Sequence, residues 1–167
     1  MAGEEPPDAR ARPPGGRDRG DHRREPGRRG VIYVDSCLVI YAVERDDEVG
    51  ERTRATLARA DEPLATSPLV MMEALVKPMR ASDAEAQLTL WSAFDAFELL
   101  PADPDAFLDA ALLRARHRGL STADALHLAI ARQAGCTALW TNDSRLSVAS
   151  GGLAIDILND ADAGRAA

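Results

Sequence analysis

Two short apolar runs, Val31-Ile-Tyr-Val34 and Thr137-Ala-Leu-Trp-Thr141, each give way within two residues to an aspartate, with helical patterns filling most of the chain between them. No other feature limits the fold as strongly. Strands that alternate with helices assemble into a largely parallel sheet with helices on both faces, a three-layer α/β/α sandwich. In open sheets of this kind the ligand crevice lies outside the carboxyl ends of the strands. Asp35 and Asp143, although about a hundred residues apart, are therefore expected on one edge of the sheet.

The alternation continues between them. Asp46 to Ala60 reads as an amphipathic helix carrying Val49, Thr53, Leu57 and Ala60 at helical spacing. A strand at Leu64-Ala-Thr66 leads through Ser67-Pro68 into a helix with Met71, Met72, Leu75 and Val76, which Pro78 should stop or kink. Ser82 and Glu85 have capping-box spacing for a helix through Phe97, followed by a short strand at Phe97 to Leu100. Pro104 opens a helix whose inward face is expected to be Phe107, Leu108, Ala111 and Leu112, with a stop at Gly119. Ser121 opens the next, to Gly135; a turn of helix near Arg145 to Val148 and a strand at Leu153 to Leu158 close the pattern.

Residues 1–30 are set apart by composition. They hold eight arginines and six acids among Pro and Gly, with no aromatic or β-branched side chain, and are expected to be a disordered extension. A single domain is expected over 31–160, with a flexible tail at 161–167. The net charge of −7 conceals +2 in the first thirty residues, so residues 31–167 carry −9. Such a surface disfavours a general grip on nucleic acid, which is driven by Lys and Arg neutralising phosphates. No run resembles a signal peptide or spans a bilayer, so a cytoplasmic protein is expected. Cys37 and Cys136 have no metal-ligand spacing and read as buried reduced thiols.

Four acids stand out: Asp35, Glu73, Asp124 and Asp143. Each has an ordinary explanation alone. Asp35 could end a strand or cap the following turn, Asp124 could complete an imperfect capping box with Ser121, and Asp143 could be a turn residue. Glu73 is harder to dismiss, since it lies among Leu69, Val70, Met71, Leu75 and Val76 and a buried carboxylate needs a partner. As a set, four carboxylates with no cysteine or histidine suit a hard cation, Mg²⁺ or Mn²⁺, rather than zinc. His127, one turn after Asp124, reads as a packing residue or a support behind a ligand. Lys77, Arg80 and Arg145 are the basic side chains available to position a phosphate backbone.

Val31-Ile-Tyr-Val-Asp-Ser36, Ser67-Pro-Leu-Val-Met-Met-Glu73, the segment from Leu120-Ser-Thr-Ala-Asp124 through His127, and Leu139-Trp-Thr-Asn-Asp143 through Leu146 together resemble the successive motifs of PIN-domain nucleases, particularly VapC-type toxins. The resemblance spans 31 to about 158. It implies a PIN-like fold and a metal-dependent endoribonuclease that hydrolyses RNA phosphodiester bonds, acts as a homodimer and is restrained by a small antitoxin. It also implies that Asp35, Glu73, Asp124 and Asp143 bind Mg²⁺ or Mn²⁺ with support from the Ser36 or Thr141 hydroxyl. A haloacid-type phosphatase would need a second aspartate where Cys37 stands. A catalytically silent PIN-like module that binds RNA or protein would fold the same way and remains an open alternative.

Overall fold

A computed structural model of the chain describes residues 30–159. The tail at 161–167 and all but the last residue of the expected extension lie outside that range. The elements follow in the order β1 (Ile32–Val34), α1 (Ser36–Glu44), α2 (Glu48–Ala58), β2 (Leu64–Thr66), α3 (Pro68–Arg80), α4 (Ala84–Phe94), β3 (Glu98–Leu99), α5 (Pro104–Arg116), α6 (Thr122–Gln133), β4 (Ala138–Thr141), α7 (Ser144–Ser150) and β5 (Ala154–Asp156). The strands form one five-stranded sheet in the order β3-β2-β1-β4-β5, and every pairing is parallel.

That order fixes where a site can be. The chain winds outward from β1 through β2 to β3, then returns to the opposite side of β1 for β4 and β5. Right-handed crossovers in opposite directions place α1 to α4 on one face and α5 to α7 on the other. The winding reverses between β1 and β4, so the crevice of this sheet opens beyond Val34 and Thr141. Parallel strands covered on both faces should be apolar throughout, and Ile32, Tyr33, Val34, Ala138, Leu139 and Trp140 are all buried.

Ser36–Glu44, for which the sequence pattern carried no expectation, is a helix, although Val39, Ile40, Tyr41 and Val43 are residue types that favour strands. Burial of Leu38 and Val39 against the sheet and the Asp35 cap override that propensity. Pro78 lies inside α3, which ends two residues later at Arg80; lacking an N–H, it leaves Ala74 O without its helical donor close to that end. Ser82 does not cap α4. It adopts a left-handed φ of 53° and closes α3, with Ser82 N donating to Met79 O at 3.1 Å and Asp83 N to Pro78 O at 2.9 Å. This pair of bonds satisfies the carbonyls at a helix end. Asp83 is the cap of α4, accepting from Ala86 N at 3.0 Å.

The inward face of α5 is also not the expected one. Ala106, Ala110 and Leu113 are buried, whereas Phe107, Leu108 and Leu112 are 54%, 69% and 51% exposed. The buried stripe repeats at i, i+4 and i+7 and is mostly alanine, which lets α5 approach α6 closely, leaving the larger side chains outside. Helix α6 is the most enclosed, with every residue from Ala125 to Ala131 buried. A helix apolar nearly all round belongs inside a fold. Leu128→Ala should therefore cost about 2–5 kcal/mol of stability, measured by urea unfolding of the full chain; a loss under about 1 kcal/mol would place this side chain outside the core.

Candidate metal centre at the carboxyl edge

Asp35 follows the last residue of β1 and is the N-cap of α1, its Oδ1 accepting from Ser36 N at 2.7 Å. Its backbone N donates to Trp140 O at 3.0 Å, which extends the β1–β4 ladder and pins the residue at the reversal point. The carboxylate is 6% exposed. Burial at that level demands partners. Thr141 supplies the main one, its hydroxyl donating to Asp35 Oδ2 at 2.6 Å while accepting from Asp143 N at 3.0 Å. Ser36 Oγ lies 3.4 Å from Oδ1. Both hydroxyls expected to support the site thus touch Asp35.

Glu73 arrives from a different element. It stands in the second turn of α3, whose start follows the carboxyl end of β2, so the helix leads from the rim and carries Glu73 near the crevice. His127 joins it to Asp35. The imidazole is 2% exposed, with Nε2 at 2.8 Å from Glu73 Oε2 and 3.5 Å from Asp35 Oδ1. Burial pushes the Glu73 carboxyl up, but the hydrogen bond and charge of His127, helped by the Ser36 hydroxyl, outweigh it and hold the group below its ordinary value. On the other side of the ring, Nδ1 lies 2.8 Å from the Tyr33 hydroxyl, itself 2.7 Å from Ser67 Oγ. Tyr33 and Ser67 are fully buried.

Asp124 and Asp143 lie on the same rim but are held otherwise. Helix α6 runs into β4, so its first turn lies at the carboxyl ends of the strands. There Asp124 completes a capping box, accepting from Ser121 N at 3.2 Å while Ser121 Oγ accepts from Asp124 N at 3.1 Å. Asp143 caps α7 and takes a fork from Arg145, whose Nε lies 3.0 Å from both carboxylate oxygens. The Arg145 hydrogen bond is the chief reason the Asp143 carboxyl sits below its ordinary value. Arg145 in turn is raised by Asp143 first and, through space, by Asp124. One guanidinium therefore stands in the field of both outer acids.

Among the described residues, the group whose ligating atoms all lie within 4.8 Å of one another is Asp35, Glu73 and His127. Its two carboxylates supply the hard oxygens that Mg²⁺ and Mn²⁺ prefer. The donor set fits a divalent cation. Cys37 faces the same carboxylate, its Sγ 3.5 Å from Asp35 Oδ2. Burial, and then the charge of Asp35, push that thiol up to about 12, so it remains an unreactive thiol. Lys77 is directed elsewhere. It pairs with Glu44 at 2.5 Å beside a hollow of about 360 Å³, near the far ends of α1 and α3. Tyr33 and Ser67 were not singled out by sequence; a lone hydroxyl on a ring in an otherwise apolar strand, with its need for a buried partner, was the available signal.

An all-parallel α/β sheet with one buried and one half-buried carboxylate at its winding reversal is the frame of this site. This chain belongs to the PIN domain family, whose model matches residues 32–152. Ribonuclease VapC23 of Mycobacterium tuberculosis is 34% identical over 125 residues, covering 71% of this chain and 98% of the relative. Among solved structures, Mycobacterium tuberculosis VapC20 superposes with a TM-score of 0.62 at 20% identity, covering 71% of this chain and 94% of its own. FitAcB of Neisseria gonorrhoeae gives 0.64 at 19% identity, covering 77% and 99%.

Thr141 holds a buried carboxylate and the Asp143 backbone with one hydroxyl. Thr141→Val should lower stability by about 1–3 kcal/mol by leaving them without that partner, whereas Thr141→Ser should retain most of it. Chemical denaturation of the three proteins side by side measures the difference, and equal losses for Val and Ser would remove the hydroxyl from this role.

Proposed function

We propose that this protein is a divalent-metal-dependent endoribonuclease, the toxin of a toxin–antitoxin pair, with Asp35, Glu73, Asp124 and Asp143 as its acidic centre and Mg²⁺ or Mn²⁺ as its cofactor. The observation that carries the reading is the convergence of Asp35 and Glu73, from β1 and α3, at the reversal of the sheet. The 34% identity to a protein named as a ribonuclease supports RNA as the substrate. The solved relatives include a toxin–antitoxin complex from Klebsiella pneumoniae with a TM-score of 0.63, which favours a small antitoxin as partner. A homodimer fits the exposed apolar side chains of α3 and α5, Met72, Val76 and Met79 on one and Phe107, Leu108 and Leu112 on the other. No helix among the described residues is long and apolar enough to cross a membrane.

The chemistry requires an activated water and relief of negative charge on the scissile phosphate and leaving oxygen. A cation held by Asp35 and Glu73 supplies both when bound. The chain's own residues prepare the place. Thr141 and Ser36 fix the Asp35 carboxylate, and burial excludes competing water from its partners. Asp143 and Asp124 extend the acidic rim, and Arg145, in the field of both, is the basic group we assign to meet a backbone phosphate.

Asp35→Asn should reduce cleavage of total RNA in Mg²⁺ or Mn²⁺ by more than about 100-fold, since groups that only support metal ligands already cost 10–100-fold when changed. Sequenced cut sites from the wild type and none from the variant are the expected result; equal cleavage would exclude Asp35 from the chemistry. In cells lacking the antitoxin, the wild type should arrest growth while Asp124→Asn at equal abundance is tolerated, because an amide is a much poorer ligand for a hard cation.

With −9 on residues 31–167, RNA binding should also depend on the cation. Chelator should weaken it at fixed ionic strength in an anisotropy assay. Asp143→Asn should cut poorly yet bind RNA without metal no worse than the wild type. Tight metal-independent binding by the wild type would instead favour a silent RNA-binding module.

A further inference from the structure

His127 touches both inner carboxylates, as the Ser36 hydroxyl does from α1, and it is also the end of a buried chain of hydroxyls. Ser67, Tyr33 and His127 are each at most 2% exposed. Their polar atoms run from Ser67 Oγ to Tyr33 Oη at 2.7 Å, from Tyr33 Oη to His127 Nδ1 at 2.8 Å and from His127 Nε2 to Glu73 Oε2 at 2.8 Å. Three different elements contribute: β1, the start of α3 and α6. Such a chain is directional, because each hydroxyl has a single proton to give.

Besides the doubly protonated ring, which donates from both nitrogens and carries the charge that lowers Glu73, two protonation patterns of the neutral ring fit the distances on the hydroxyl side. Either Tyr33 donates to Nδ1 and Nε2 carries the ring proton, or Nδ1 donates to Tyr33 and Nε2 is bare. The carboxylate side decides between them. A bare Nε2 would turn its lone pair on Glu73 Oε2 at 2.8 Å, with Asp35 Oδ1 at 3.5 Å. Two acceptors at that separation repel. An N–H there makes a charge-assisted bond instead. The tautomer of a histidine is set by the partner of its other nitrogen, and here that partner is the Tyr33 hydroxyl, backed by Ser67.

We infer that His127 is a positioning residue of the metal centre and not one of its ligands: its Nε2–H, held in that tautomer by Tyr33 and Ser67, draws Glu73 toward Asp35 and keeps the two carboxylates preorganised for a divalent cation. This rests on the metal-dependent reading of the site. The role is distinct from packing, since a residue of similar volume with no N–H would fill the space and leave the two carboxylates with the Ser36 hydroxyl alone between them. It also gives Tyr33 a function at a distance from the crevice, because its hydroxyl touches neither carboxylate.

The experiment uses the full chain, labelled with ¹⁵N at its three histidines, and follows ring nitrogens by long-range proton–nitrogen NMR with and without Mg²⁺ at one pH. His127→Gln identifies the His127 signals. Nε2 is expected to stay protonated in both states. Loss of that proton on adding Mg²⁺, with a large Nε2 shift, would mean direct ligation and overturn the inference. In parallel, Mn²⁺ affinity is measured by calorimetry. Tyr33→Phe and His127→Leu should each weaken it about 10–100-fold, while His127→Gln, which keeps an N–H donor, should lie within a few-fold of the wild type. Should His127→Leu fail to fold, Tyr33→Phe still decides, since it removes one oxygen and keeps the ring. Wild-type affinity in Tyr33→Phe refutes the relay. Absence of Mn²⁺ binding by the wild type itself, with Asp35→Asn indistinguishable from it, defeats the metal reading beneath the inference rather than the role of His127.

Discussion

A carboxylate only 6% exposed has to be paid for in hydrogen bonds, and the way Asp35 obtains them organises this protein. Its backbone continues the ladder between β1 and β4, its Oδ1 caps α1, and its Oδ2 takes the Thr141 hydroxyl. Four elements of the fold therefore meet at one side chain, since His127 of α6 also approaches Oδ1. The same bonds that make burial tolerable also remove the freedom of the carboxylate to turn. On the proposed metal-dependent reading, the sheet thus holds this carboxylate in place before any cation arrives.

The rim is built in two zones with different electrostatics. Inside, Asp35 and Glu73 share an imidazole and are shielded from solvent to differing degrees. Outside, Asp124 and Asp143 act as helix caps, and Arg145 lies in the field of both. Capping and ligation are compatible roles. A cap engages one or two oxygens with backbone N–H groups and leaves other lone pairs pointing outward. The Arg145 pair is largely exposed on the arginine side, at 67%, so it contributes little to stability.

The sheet explains why so small a fold can bring these parts together. Parallel strands of two to four residues give a rim only five strands wide, and reversal of the winding at β1 and β4 leaves a gap where no crossover helix covers the strand ends. Helices that follow a strand begin at this rim, as α1, α3 and α7 do, while α6 begins there because it precedes β4 and runs against it. Their first two turns carry Ser36, Glu73, Asp143 as a cap, and Asp124. Family membership over residues 32–152 matches this extent, since all of these residues lie within it.

Much of this was legible in the sequence, for reasons that are local. The strand ends at Val34 and Thr141, the capping box of Ser121 and Asp124, and the parallel architecture follow from apolar runs, turn chemistry and alternation, each confined to a few neighbouring residues. What failed was also local in origin. The α5 stripe of Ala106, Ala110 and Leu113 is less apolar than the face left outside. Burial against partners distant in sequence overrode that pattern. The inner site belongs wholly to that second kind of information: Tyr33, Ser67, Glu73 and His127 become one hydrogen-bonded line only when β1, α3 and α6 pack. The sequence by itself determined which residues could end strands, cap helices and offer carboxylates, because those properties depend on near neighbours. Only the tertiary structure decided that a histidine would stand between two of the acids while an arginine occupied the field of the other two, because hydrogen bonds 54 and 94 residues apart in sequence exist only once the chain has folded.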